Sequence, residues 1–247
     1  MDKINICGLD FSNITFKDAV SFASKLTKTG KKEVIFPANV ESIMLARNDI
    51  YLQKIYNEAS ILLPDGMPVV WASHFLGTPL KEKISGPDFL PRYLESISAG
   101  EYSVFILGGE KGVAERTASN LSGTIKGLKI AGTMHGYFNK SGDENFFVIE
   151  RINSSGASVL IVAMGTPLQE KWIYENIEHL TVRIAIGVGA AIDFLSGNKS
   201  RAPEWMCSSG LEWVFRLFQE PARLWKRYLV RDIQFPFLVL KNRYRKD

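Results

Sequence analysis

Short segments rich in group-transfer residue types each follow an apolar run. Pro64-Asp65-Gly66 comes after Ile61-Leu62-Leu63 and sets a carboxylate where a strand would end. A carboxylate within hydrogen-bond reach of a hydroxyl can take its proton as the oxygen attacks a carbon centre. The same three residues also make a plain turn, and the local sequence leaves both readings open. Asn39, in Pro37-Ala38-Asn39, either caps the next helix or binds a ligand hydroxyl. Gly108 and Gly109 lie in Leu-Gly-Gly-Glu-Lys-Gly. That turn either lets backbone N–H groups approach a phosphate at a helix N-terminus or merely joins a strand tightly to a helix. In Gly165-Thr166-Pro167-Leu168-Gln169-Glu170 the glycine permits a sharp turn and the proline can open a helix. Thr166, Gln169 and Glu170 then stand at a helix N-terminus, where Glu170 also suits the helix dipole. Gly187-Val188-Gly189-Ala190-Ala191-Ile192-Asp193 repeats the plan: small, flexible, then acidic.

Other chemistries lack their residues. His74, His135 and His179 have neither metal spacing nor a nucleophile partner, and no GxSxG elbow occurs. The two cysteines, Cys7 and Cys207, form no CxxC or Cys/His cluster, so zinc is not expected and two free thiols are. The chain has no GxGxxG followed by an acidic residue, which argues against an NAD(P)-dependent oxidoreductase. A formal net charge of +4 is too mild to imply nucleic acid.

These segments need a scaffold that collects strand ends. Apolar runs at 34–37, 61–63, 104–107, 129–131, 159–164 and 183–187 read as strands, several without polar alternation. Amphipathic stretches at 16–27, 40–58, 113–121 and 144–154 read as helices between them. This alternation predicts an α/β fold: a Rossmann-like, mostly parallel sheet flanked by helices. In such sheets ligands bind beyond the carboxyl ends of the strands, where all the segments above fall. Composition changes after about Gly197: Trp205, Trp213 and Trp225 are three of the five tryptophans, and Arg216, Arg223, Arg227, Arg231, Arg243 and Arg245 cluster with them. Residues 1–197 thus read as a catalytic domain and 198–247 as a basic, aromatic, helical C-terminal appendage, broken at Pro221 into two short helices. Arg216, Arg223 and Arg227 could share one face if those helices nearly align, with Leu217 and Leu224 on an adjacent stripe. Trp213, Trp225 and Tyr228 suit a lipid headgroup region; a solvated basic face is the alternative. No signal peptide is visible and no apolar run nears the roughly 18 residues that span a bilayer. A cytoplasmic protein with peripheral membrane contact is the expectation.

Taken together, LLPDGMPVVW, VFILGGEKGVAE, LKIAGTMHGYF, VLIVAMGTPLQEKWI, IGVGAAIDFLSGNKSRAPEWM and GLEWVFRLFQEPARLWKRYL resemble the WecG/TagA/CpsF glycosyltransferase family (glycosyltransferase family 26), in family order. The resemblance implies a metal-independent, inverting enzyme without cofactor. It would move a sugar from a UDP-sugar to a lipid-pyrophosphate-linked sugar at the inner face of the cell membrane, in cell-envelope polysaccharide assembly. An N-acetylmannosamine-type donor is favoured, with UDP-glucose or UDP-glucuronic acid as the alternative. A non-catalytic nucleotide-binding module is the alternative from another class. By the resemblance Asp65 is the catalytic base. The resemblance also makes Asn39, Gln169 and Asp193 candidate pocket residues and has Arg216, Arg223 and Arg227 reach the lipid acceptor; Lys83, Gly108, Gly109 and Thr166 complete the expected substrate-binding set. The family also implies a homo-oligomer. The chain departs from the family pattern in having Pro37 where threonine is common and Lys83 where arginine is, which exchanges a planar fork for a point charge.

Overall fold

The computed structural model describes residues 1–244, so Arg245 of the basic cluster lies outside the described residues. The N-terminal alternation Lys-Ile-Asn-Ile forms β1 (Lys3–Ile6). It turns through Cys7 and Gly8, both at positive φ, and returns as antiparallel β2 (Leu9–Ser12). This hairpin was not among the strands expected from sequence, although its first strand alternates; each strand is only four residues long.

The six predicted strands all form. The chain runs α1 (Phe16–Thr29), β3 (Glu33–Ala38), α2 (Val40–Ala46), α3 (Ile50–Glu58), β4 (Ile61–Pro64), α4 (Met67–Phe75), α5 (Gly86–Ile97) and β5 (Ser103–Gly108). It continues through α6 (Val113–Thr124), β6 (Lys129–Met134), α7 (Gly142–Ser154), β7 (Val159–Ala163), α8 (Leu168–Asn176), β8 (Ile184–Gly187) and α9 (Ala191–Leu195). Strands β3 to β8 make one sheet in the order β4-β3-β8-β7-β5-β6, every pairing parallel. Successive residues serve opposite faces. Phe36, Leu62, Leu107, Leu160 and Ala185 enter one core layer, and Ile35, Ile61, Leu63, Ile106, Ile161 and Ile186 the other. That two-sided burial is why the strands read as continuous apolar runs.

Two expectations are corrected. The stretch 40–58 is two helices, not one, because the Asp49 carboxylate accepts from Leu52 N and starts α3 afresh. Helices α4 and α5 were not foreseen; Pro68, Pro87 and Pro91 hide them in the sequence, yet Pro68 and Pro87 sit in first turns, where no N–H is needed.

The C-terminal segment adds α10 (Glu204–Ser208), α11 (Glu212–Gln219), α12 (Pro221–Lys226), irregular helical turns over 227–234, and α13 (Phe235–Arg243). Pro221 opens α12, as its position predicts. Helix α13 packs back onto the sheet unit: Phe235, Leu238 and Val239 are buried in the same core layer as Ile6, Leu9 and Phe11 of the hairpin. Among the described residues no helix is long and apolar enough to cross a membrane.

Candidate active site

The carboxyl ends of the six strands form one rim, and every segment singled out from sequence lies on it. In rim order these are Asp65 after β4, Asn39 after β3, the Gly187–Asp193 turn after β8, Thr166–Glu170 after β7, and Gly108-Gly109 at the end of β5. At about 4.8 Å per strand, the four steps from β4 to β5 span ~19 Å.

Asp65 is held by backbone on both sides. Its N–H donates to Ala38 O at 2.9 Å, and Ile84 N donates to Pro64 O at 2.8 Å, which brings the loop carrying Lys83 alongside. Gly66, at φ 105°, then turns the chain into α4, a conformation costly for a residue with a Cβ. Burial pushes the Asp65 carboxyl up to about 6; the Glu212 carboxylate adds to the rise, and the Arg216 and Lys83 cations oppose it. Sequence gave Glu212 no role. It enters here because α11 lies over the end of β4, so the appendage supplies part of the electrostatic setting of Asp65.

Asn39 caps α2: Oδ1 accepts from Glu41 N at 2.9 Å and Ser42 N at 3.4 Å, and Ser42 Oγ accepts from Asn39 N at 3.2 Å. Its carbonyl is committed to the helix; its Nδ2 has no partner among the described residues. Lys83 Nζ donates to Cys207 O at 3.2 Å and so touches the appendage. Gly108 and Gly109 are required by close packing. A Cβ on Gly108 would lie 2.2 Å from Ala163 O, and one on Gly109 would lie 2.9 Å from Val113 Cβ. Gly109 N–H is already spent on Ala163 O at 2.9 Å, so this one donor is not free for phosphate. Gly136 N in turn donates to Gly109 O at 3.1 Å, which brings the exposed ring of Tyr137 to this end of the rim. Asp193 pairs with Lys199 at 3.3 Å, and Lys199 reaches Glu220 at 3.0 Å.

Thr166 and Gln169 face inward. Gln169 is almost wholly buried and Glu170 wholly so. Gln169 acts on the neighbouring turn, its Oε1 accepting from Gly189 N at 3.0 Å. Thr166 Oγ1 donates to Glu170 Oε1 at 3.1 Å.

The three appendage arginines do not share one environment. Arg216 lies over the Phe194 ring, 5.7 Å from its centroid, and its charge acts on Asp65. Arg223 is exposed and pairs with Glu220 at 2.6 Å. Arg227 is mostly buried between Glu41 at 2.6 Å and Asp232 at 3.4 Å. The turn at Glu220, with φ −136° and ψ 59°, breaks the helical phase that a shared face would need. Leu224 is buried while Phe218, Trp225, Leu229, Val230, Ile233 and Phe237 are exposed. Trp213 packs on Tyr228 with ring centroids 5.6 Å apart. Gly210 abuts the exposed Trp71 of α4, linking that helix to the apolar surface of the appendage.

Among the described residues no three His, Cys, Asp or Glu side chains group as metal ligands would. The rim offers a half-buried carboxylate, cations contributed by two separate segments, and a row of strand ends ~19 Å long from β4 to β5.

The family model described as "Glycosyl transferase WecG/TagA/CpsF family" matches residues 4–247. Similar proteins include the N-acetylglucosaminyldiphosphoundecaprenol N-acetyl-beta-D-mannosaminyltransferase of Bacillus subtilis (strain 168), 34% identical over 214 residues, covering 86% of this chain and 81% of that protein. Proteins of the same name occur in Bacillus spizizenii, 32% identical with 90% and 84% covered, and in Staphylococcus aureus (strain MRSA252), 30% identical with 91% and 86% covered.

Proposed function

The chain belongs to the WecG/TagA/CpsF glycosyltransferase family, and on that premise we propose that it transfers N-acetylmannosamine from UDP to N-acetylglucosamine on undecaprenyl diphosphate. The names of its relatives supply the transferred sugar and the acceptor. The observation that carries the reading is Asp65, half-buried at the rim, with a carboxyl raised to about 6 and the Arg216 and Lys83 cations nearby. Such a carboxylate is ionised at neutral pH and is a stronger base than a free aspartate.

In this mechanism the donor lies lengthwise along the rim, its uridine toward Gly108 and Tyr137 and its sugar toward Asp65. The ~19 Å between the two ends supports that orientation over one with the pyrophosphate on the glycine turn. Asp65 takes the proton of the acceptor hydroxyl. The oxygen attacks the anomeric carbon, a new C–O bond forms, and the bond to the UDP oxygen breaks with its electron pair leaving on UDP. Lys83 and Arg216 stabilise the charge that develops there. No step requires a metal ion.

The acceptor's lipid calls for a surface, and the exposed Trp213, Phe218, Trp225, Leu229 and Phe237 beside Arg223 and Lys226 suit the headgroup layer of the inner leaflet. A transfer assay with a panel of UDP-sugars and a short-chain lipid-diphosphate N-acetylglucosamine decides the matter. UDP release with UDP-N-acetylmannosamine is expected. UDP binding without turnover on any donor would instead indicate a nucleotide-binding module.

A further inference from the structure

Beneath the rim, between β3, β7 and β8, lies a buried polar chain centred on Glu170. Its Oε1 accepts from Gln169 Nε2 at 3.0 Å and from Thr166 Oγ1 at 3.1 Å. Its Oε2 is buried without a hydrogen-bond partner among the described residues, and so is the hydroxyl of Tyr56. The Tyr56 phenol stands beside both Glu170 and Ser42, and Ser42 in turn holds Asn39 N. From its other end Gln169 holds Gly189 N at 3.0 Å. Through Gln169 the carboxyl thus joins the turns after β7 and β8, with the Tyr56 phenol lying between it and the turn after β3.

This is an expensive way to fill a core. No lysine, arginine or histidine pairs with Glu170 among the described residues, and a buried carboxylate without a cation is costly. Burial accordingly pushes its carboxyl up to about 7. An apolar side chain would serve packing alone, so the physical use of Glu170 lies in what it orients. A glutamine amide has two ends of similar shape and opposite polarity. A carboxylate beside Nε2 admits only the orientation that points Oε1 at Gly189 N. The room is also limited: a Cβ on Gly187 would lie 3.2 Å from Gln169 Nε2.

We propose that Glu170 is a positioning residue, which fixes the Gln169 amide so that the Gly187–Asp193 turn keeps its place at the middle of the rim along which the donor would lie. The inference rests on the transferase reading for its consequence, binding of the UDP donor, though not for its geometry.

The test uses the full chain with Glu170→Leu, Glu170→Gln, Gln169→Leu and the Glu170→Leu/Gln169→Leu double variant. Amide hydrogen exchange over 187–193, UDP affinity by calorimetry, and donor KM and kcat are measured well below the melting temperature, so that only folded protein is read. Glu170→Leu is expected to speed exchange over 187–193 while leaving β5 protected. It should weaken UDP about tenfold and raise donor KM more than it lowers kcat. The double variant should lose no more than Gln169→Leu alone, and Glu170→Gln should stay within about threefold of the parent. Unchanged exchange and UDP affinity in folded Glu170→Leu would reduce Glu170 to a packing residue, and additive losses would show that it does not act through Gln169. If Glu170→Leu fails to fold, Gln169→Leu alone carries the test, with normal protection at Gly189 overturning the proposal. If the parent chain binds no UDP, the transferase reading fails while the exchange measurement still decides the positioning role.

Discussion

Arg201 grips Asp88 through both ends of its guanidinium group, Nη2 donating to Oδ2 at 2.7 Å and Nη1 to Oδ1. The pair joins the start of the appendage to α5, and Ser85 Oγ adds a second acceptor for Nη2 at 3.3 Å. The Arg201 fork holds the Asp88 carboxyl below the ordinary carboxylate range. Together with Lys83 on Cys207 O, it seats α10 and α11 above Asp65.

Lysine cannot reproduce that fork. Arg201→Lys is expected to cost only about 1 kcal/mol in global stability, because the pair is part-exposed. It should nevertheless lower kcat/KM for transfer several-fold and expose residues 198–210 to limited proteolysis. Equal proteolysis of variant and parent would count against the clasp.

The acid limb of kcat/KM should have its midpoint near pH 6, where the half-buried Asp65 takes up a proton. Glu212→Gln removes a like charge and should move that midpoint to lower pH. Arg216→Gln removes a favourable cation and should move it higher. Asp65→Asn should cut kcat by about 10²-fold or more at every pH while UDP binding persists. Near-normal transfer by folded Asp65→Asn would disprove the base.

Folding stability should fall as pH rises through neutrality. The Glu170 carboxyl, at about 7 in the folded chain against 4.5 ordinarily, binds its proton more tightly when folded. Its contribution is therefore fully present below about pH 4.5 and is lost as pH rises through about 7. Asp65 acts in the same sense over a lower window, from 3.8 to about 6. Glu170→Gln should flatten this dependence, so that its melting temperature drops less between pH 5 and pH 8 than the parent's. Parallel curves in thermal melts would contradict the assignment.

Vesicle binding should depend on exposed apolar side chains rather than on the whole appendage. Phe218→Ser with Leu229→Ser should keep the melting temperature and lose most co-sedimentation with vesicles containing phosphatidylglycerol. Added salt should weaken the parent's binding only in part, through screening of Arg223 and Lys226. Truncation after Asn198 is a poorer test, because it strips Phe235, Leu238 and Val239 from the core and should unfold the protein.

Much of this arrangement is legible in the residues themselves. Continuous apolar runs give the buried parallel strands, and the rule that ligands sit beyond strand ends collects Asp65, Asn39, Thr166, Gln169 and Asp193 on one rim. Periodicity cannot say which way a side chain at a helix start will point. Gln169 and Glu170 therefore read as rim groups, whereas both are buried. Likewise a face shared by Arg216, Arg223 and Arg227 requires the two helices to align nearly, and the turn at Glu220 sends the three to different partners. Glu212 left no local signal; its closeness to Asp65 exists only once α11 is laid over β4.

Asn242 donates to Cys7 Sγ at 3.5 Å across 235 positions of chain. Contacts so distant form late, because the connecting chain must first be ordered. During synthesis, at about 5–20 residues per second, the β1–β2 hairpin waits on the order of 10–50 s before α13 arrives to cover it. The core layer shared by the hairpin and α13 is thus completed only once α13 has emerged. A ribosome-bound chain therefore keeps Ile6, Leu9 and Phe11 uncovered until α13 is released, so the two distant parts of the chain become stable together rather than in turn.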